Sequence, residues 1–170
     1  MRKVVLFAAS SLDGFIARPD GAIDWLFQDG DYGFSEFMET VDSVVLGRKT
    51  YEVAQALGDD SLTAGEHWIV SRNPDKHAGG KARFGNLDQV GDWLRSSESE
   101  KAVWLIGGGE LTAAFLDRGW LNEIVLAIHP RLLGMGIGIS PNLLNDAVLT
   151  YRKHKVFDNG LIQVWYDVAR

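Results

Sequence analysis

The sequence predicts an α/β protein: a three-layer α/β/α sandwich around a mostly parallel sheet, closed by an antiparallel hairpin at the C-terminal end. Three observations carry this. Short continuous apolar runs alternate with helix-spaced apolar stripes through most of the chain, the pattern of parallel strands buried on both faces and covered by helices. The end of the chain instead alternates apolar and polar residues over Val148 to Phe157 and Leu161 to Val168, around Asp158-Asn159-Gly160, and Asn-Gly is a strong hairpin signal. The 170 residues, 46% of them hydrophobic, fit one domain with one core over residues 1–170.

In order, Val4 to Ala9 is the first buried strand. Ser10 to Asp31 follows as a long loop rich in Gly, Asp and Pro. Phe34, Phe37, Met38 and Val41 fall at helical spacing. Val44-Val45-Leu46 is a second strand stopped by Gly47, Lys49 to Leu57 a helix, and His67 to Val70 a strand closed off by Pro74. Asn86 with Gln89 forms a variant capping box for a helix that buries Val90, Trp93 and Leu94. A strand over Ala102 to Ile106, the glycines Gly107 to Gly109, a helix with Leu111, Ala114 and Phe115 on one face, and a strand over Glu123 to Ile128 complete the series before the hairpin.

Composition excludes several function classes. Lys plus Arg number 17 against 23 Asp plus Glu, a net charge of −6 with a pI near 5.1, so the chain lacks a basic field for nucleic acid. It has no cysteine, which removes disulfides, thiolate nucleophiles and cysteine metal sites, and fits a cytoplasmic protein. No apolar run approaches the ~20 residues that span a bilayer, and Val4 to Ala9 is too short for a signal-peptide core. His67, His77 and His154 show no metal-ligand spacing.

Three turns follow strands and suit phosphate. Gly107-Gly108-Gly109 opens a helix, where free N–H groups and the positive dipole end meet an anion. The spacing is not the dinucleotide fingerprint, because Thr112 stands three residues after Gly109. Gly47-Arg48-Lys49-Thr50 places two cations and a hydroxyl at another strand end, without the earlier glycine of a nucleoside-triphosphate loop. Ser71-Arg72 is the third. Any one alone is readable as a tight turn or a solvated cation; three phosphate-competent turns on one sheet edge are harder to dismiss.

These residues also carry a family resemblance. Val5 to Trp25, with Ala9, Asp13-Gly14, Ile16-Ala17 and Gly21, resembles the first strand and mobile loop of dihydrofolate reductases. Leu46 to Glu52 is similar to their segment for the cofactor's 2′-phosphate, Val70-Ser71-Arg72 to the second half of that pocket, and Ile106 to Glu110 to their pyrophosphate turn. Ile128-His129-Pro130-Arg131-Leu132-Leu133-Gly134, with Gly136 and Gly138, is similar to the reductase domain of the riboflavin-pathway deaminase/reductase and its stand-alone relatives. The chain has neither the cysteines nor the His-x-Glu motif of the deaminase half.

The resemblance implies a dihydrofolate reductase-like fold, NADPH as cofactor, and hydride transfer to a C=N or C=O bond of a small heterocyclic or sugar-linked molecule. It implies cofactor contacts from Ala9, Ile16, Gly47, Arg48, Lys49, Thr50, Ser71, Arg72, Ile106, Gly107, Gly108, Gly109, Glu110 and Leu111. It further implies a substrate pocket from Phe7, Trp25, Phe34, Ala127 and His129, with Asp31 as catalytic acid. Ala127 stands where dihydrofolate reductases have a threonine. Two readings stay open for each of several residues. Asp31, or in its place Glu36, is either a buried acid with a raised pKa or a helix residue facing water. Trp25 shields the pocket or anchors the loop, and His129 shuttles a proton or is packed. Leu132 to Leu144 is a loop over the site or part of a homodimer contact. Two other functions compete: a nucleotide-binding module without turnover, and a true dihydrofolate reductase.

Overall fold

The computed structural model describes residues 1–56, 65–74 and 82–169. Its frame is an eight-stranded sheet built from β1 (Val4–Ser11), β3 (Val41–Gly47), β4 (Glu66–Val70), β5 (Arg83–Gly85), β6 (Ala102–Gly107), β7 (Glu123–His129), β9 (Leu149–Val156) and β10 (Ile162–Val168). The order across it is β5-β4-β3-β6-β1-β7-β10-β9. All pairings from β5 to β7 are parallel, and β10 runs antiparallel to both β7 and β9.

Helices α1 (Phe34–Glu39), α2 (Arg48–Ala56), α3 (Leu87–Ser96) and α4 (Gly109–Asp117) cover the two faces. The apolar runs serve both layers at once, as period-two alternation requires. Val4 and Leu6 of β1 join α3 and α4 through Val90, Leu94, Leu111 and Phe115. Val5 packs in the opposite layer, where Phe34, Phe37 and Met38 of α1 and Tyr51 of α2 meet the sheet. That is the predicted three-layer sandwich with its antiparallel edge. At Asn86 the capping box forms with both hydrogen bonds in place, and Gly160 takes up φ +84° in the hairpin turn.

Three expectations need correction, and one strand was not foreseen. Ser10 to Asp31 is not all loop: β1 runs on to Ser11, and β2 (Phe15–Ala17) pairs with β8 (Ile137–Gly138) as a separate two-stranded sheet. Val41 is not on the α1 stripe but begins β3, where it pairs with Ala102. Trp93 is half-buried, its indole N–H donating to the Glu66 carboxylate at 2.9 Å. β5 was unanticipated, three residues being too few for a periodicity signal. Leu57, the expected end of α2, and His77 lie outside the described residues. Among the described residues no helix is long and apolar enough to cross a membrane.

Candidate functional site

The three phosphate-competent turns converge at the C-terminal ends of β3, β4 and β6. Gly47 lies against the Gly107 carbonyl, 3.7 Å from where a Gly47 Cβ would stand. The Thr50 hydroxyl accepts a hydrogen bond from the Gly108 N–H at 3.1 Å, tying the α2 start to the glycine turn. Arg72 reaches Glu110 of α4 at 3.5 Å, with side chains 91% and 76% exposed. Arg48 pairs with Glu52 one turn along its own helix, and Lys49 is exposed. Ser71 is buried at the β4 end, its hydroxyl accepting from the Asn73 N–H.

Each glycine of the triplet has its own geometric reason. Gly107 sits at φ +102°, a region costly for a side chain. Gly108 has an ordinary φ of −61°, but a Cβ there would come within 3.3 Å of Thr50 Oγ1 and fill the space between the turns. A Cβ on Gly109 would lie 2.1 Å from the Gly138 carbonyl oxygen and 2.6 Å from Pro141. Gly109 therefore admits the strap formed by residues 131–141. Ile106 and Leu111 flank the turn, half-buried and buried.

The strap is sewn to the first loop. The Leu12 N–H donates to the Arg131 carbonyl and the Ile139 N–H to that of Gly14, and β2 pairs with β8 between them. Asp13 accepts from the N–H groups of Leu133 and Gly134, at 3.1 and 2.8 Å, and from the Ser11 hydroxyl at 2.6 Å. The Ser11 bond, reinforced by the two amides, holds the Asp13 carboxyl below its usual range. The Ser11 contact is local, but the two strap amides lie some 120 residues away, so the stitching role of Asp13 could not be read from its neighbours in the sequence. Ile16 lies within the stitched segment, and Ala9 is half-buried near the end of β1.

The expected substrate residues do not share one environment. Asp31 corrects its assignment as a buried acid: it is exposed and accepts from the Ser35 hydroxyl at 2.7 Å and the Ser35 N–H at 3.0 Å. Those bonds hold its carboxyl below the usual range rather than above it. It closes the start of α1. Trp25 is 1% exposed and edge-on to His129 at 5.3 Å, an anchor for the loop. His129 is buried, with Nδ1 3.2 Å from the Ala127 carbonyl and Nε2 accepting the Phe27 N–H at 3.2 Å. Both nitrogens are occupied by backbone, and burial lowers its pKa. It is a packed histidine. Phe34 packs on Phe7 and Trp104.

Phe7 alone of that set opens onto a cleft of about 640 Å³ between α1 and the face of β7, β10 and β9. Val5 and Val125 also line it, with Phe37 and Glu36 from α1, Gln163 and Trp165 from β10, and Arg152, Lys153 and Lys155 from β9. Glu123, at the far end, is bound by Lys3 at 2.6 Å and Arg152 at 2.9 Å. Gln163 and the β9 cations were missed by the sequence reading. The signal was present in Arg152-Lys153-His154-Lys155, a basic run in an acidic protein. Among the described residues no cluster has the makings of a metal site.

Comparison with known proteins agrees with this architecture. The family model described as dihydrofolate reductase matches residues 3–128. The uncharacterized protein YwjB of Bacillus subtilis (strain 168) is 34% identical over 173 residues, covering 97% of each chain. A candidate riboflavin biosynthesis protein from Shewanella sp. PV-4 superposes with a TM-score of 0.85 at 27% identity over the whole of both chains. The diaminohydroxyphosphoribosylaminopyrimidine deaminase/5-amino-6-(5-phosphoribosylamino)uracil reductase of Thermotoga maritima has the same fold, with a TM-score of 0.73 at 18% identity, over 99% of this chain and 57% of that one. With most of its length matched by the family model, and with a mostly parallel sheet closed by an antiparallel edge, the chain belongs to the dihydrofolate reductase family.

Proposed function

We propose that the protein is an NADPH-dependent reductase acting on a C=N or C=O bond of a small heterocyclic or sugar-linked molecule, in the manner of riboflavin-pathway reductases. The observation that carries this is the convergence of three strand-end turns through the Thr50–Gly108 hydrogen bond and the Arg72–Glu110 pair. The geometry fits the cofactor: the turn that opens α4 carries no side chain to keep a phosphate from its backbone, and the Thr50–Gly108 hydrogen bond holds the cation-bearing start of α2 beside it. Gly107, Gly108 and Gly109 at the start of α4 hold the pyrophosphate, with Ile106 and Leu111 beside them. Gly47, Arg48, Lys49, Thr50, Ser71 and Arg72 hold the 2′-phosphate, and Glu110 keeps Arg72 oriented.

NADPH, when bound, supplies the hydride. Ala9 and Ile16 flank its ring, and the strap stitched by Asp13 excludes water from that side. Asp31 and Glu36 are both exposed, but only Glu36 stands on the cleft wall, so we assign proton relay to Glu36 by position. A cytoplasmic location and a homodimer belong to the same proposal; the absence of cysteine and the exposed face of β9 support them.

A cofactor-binding module without turnover is the second reading, favoured by the turn of Asp31 to solvent. Calorimetric titration of NADPH and NADH into wild type, Arg48→Ala and Arg72→Ala tests the pocket. Charge-assisted hydrogen bonds are worth ~1.5–3 kcal/mol, so each variant should bind NADPH roughly ten- to a hundredfold more weakly and NADH almost unchanged. Equal losses for both cofactors refute the 2′-phosphate assignment. A screen of NADPH oxidation against folates, flavin precursors and aldehydes separates reductase from binding module.

A further inference from the structure

Gln163 is 2% exposed, and its Nε2 is buried with no hydrogen-bond partner among the described residues, yet the residue lines the cleft. Its neighbours in the sheet explain why the amide is stranded. Gln163 pairs with Ala127 on β7 and with Lys155 on β9. Alanine has no polar side-chain atom and an ammonium has no acceptor. Gly33, at the entry to α1, stands over the other end of the carboxamide, 3.7 Å from Oε1 to where its Cβ would be. No hydrogen bond among the described residues anchors either end of this carboxamide, so it can turn its N–H toward an acceptor that enters the cleft.

The register says where that acceptor lies. Ala9 pairs with Ala127, so Ala9, Ala127, Gln163 and Lys155 form one row on one face of the sheet. Ala9 and Ala127 do not line the cleft, so the acceptor lies on the side of Gln163 toward Lys155 and Trp165. The cleft wall is aromatic, with Phe7, Phe37 and Trp165. Lys153 lies 4.6 Å over the Trp165 ring and Lys155 4.8 Å over Phe157, and no ion pair is formed by either among the described residues.

We infer that Gln163 is a specificity-determining residue of this cleft: its buried carboxamide donates to a carbonyl oxygen on a planar ring, whose anionic substituent is held by Lys153 and Lys155. The ligand class is a flat aromatic acid with a ring carbonyl. The cleft is taken to be the substrate pocket, so the assignment rests on the reductase reading above.

Calorimetry with two probes of matched size and charge tests it on the unaltered protein. Chromone-2-carboxylate carries a ring carbonyl and naphthalene-2-carboxylate does not. The first should bind about tenfold more tightly, as expected for one satisfied hydrogen bond. Gln163→Leu should erase that difference by weakening chromone-2-carboxylate alone, while the melting temperature stays level or rises because the stranded donor is gone. Lys155→Met should weaken both acids and leave neutral chromone unaffected. Equal binding of the two acids by wild type, or a Gln163→Leu protein that melts lower but keeps the preference, overturns the inference. NADPH titration of the same samples separates the failures. Cofactor binding without probe discrimination sinks only the Gln163 assignment, whereas probe discrimination without cofactor binding sinks only the reductase reading.

Discussion

Gly108 and Gly109 are adjacent and chemically identical, and the structure predicts opposite consequences for replacing them with alanine. At Gly109 the new Cβ would stand 2.1 Å from the Gly138 carbonyl oxygen and 2.6 Å from Pro141 Cδ. Backbone and a proline ring cannot swing aside, so strap or helix must move. Overpacking of this kind costs ~1–3 kcal/mol, against a helix-propensity gain of up to ~1 kcal/mol for Gly→Ala. At ~2–4 °C per kcal/mol for a protein of this size, Gly109→Ala should lower the melting temperature by several degrees. At Gly108 the backbone already has φ −61°, and Cβ meets only Thr50 Oγ1, at 3.3 Å. Gly108→Ala should melt within ~1 °C of wild type but lose the thermal shift that NADPH gives at saturation. At a hundred times Kd that shift reflects ~2.7 kcal/mol. Scanning fluorimetry with and without NADPH reads both quantities. A Gly108→Ala protein with a full NADPH shift, or a Gly109→Ala protein with an unchanged melting temperature, refutes the division of labour.

Dihydrofolate should be a very poor substrate, because Ala127 offers no hydroxyl partner and Asp31 is exposed and bound to the Ser35 hydroxyl. A kcat/KM on the order of 10⁴ M⁻¹s⁻¹ or more, abolished by Asp31→Asn, would make the chain a working dihydrofolate reductase. His129 gives a pH signature. Burial lowers its pKa from the ordinary 6.5, so the unfolded chain binds the proton first and stability falls as pH drops through 6.5 toward the folded value. Melting temperatures at several pH values should show that decline in wild type and a flatter profile in His129→Gln; parallel profiles would mean the ring is not held neutral.

What the sequence made legible was local. A buried parallel strand needs a continuous apolar run, and Val4 to Ala9, Val44 to Leu46 and Ala102 to Ile106 all became strands because both faces had a helix layer to meet. The capping box and the Asn-Gly turn are closed within four residues, so no distant partner could overrule them. The three strand-end turns were legible as turns for the same reason: each has its own glycines or cations, and the fold gathers them. β2 was invisible because Phe15 and Ala17 are paired by Gly138 and Ile137 across some 120 residues. Asp31 could not be placed because a carboxylate before a helix serves equally as buried acid or cap, and only the orientation of α1 turns it to Ser35. Gln163 was hidden by its own regularity, as one more polar position in an alternating strand. Its meaning depends on three residues remote from it in sequence: Ala127 gives no acceptor, Gly33 stands over it, and Phe7 lines the same cleft. In this fold the turns proposed for the cofactor are written in contiguous motifs, whereas the pocket proposed for the substrate is written in register, one residue per strand.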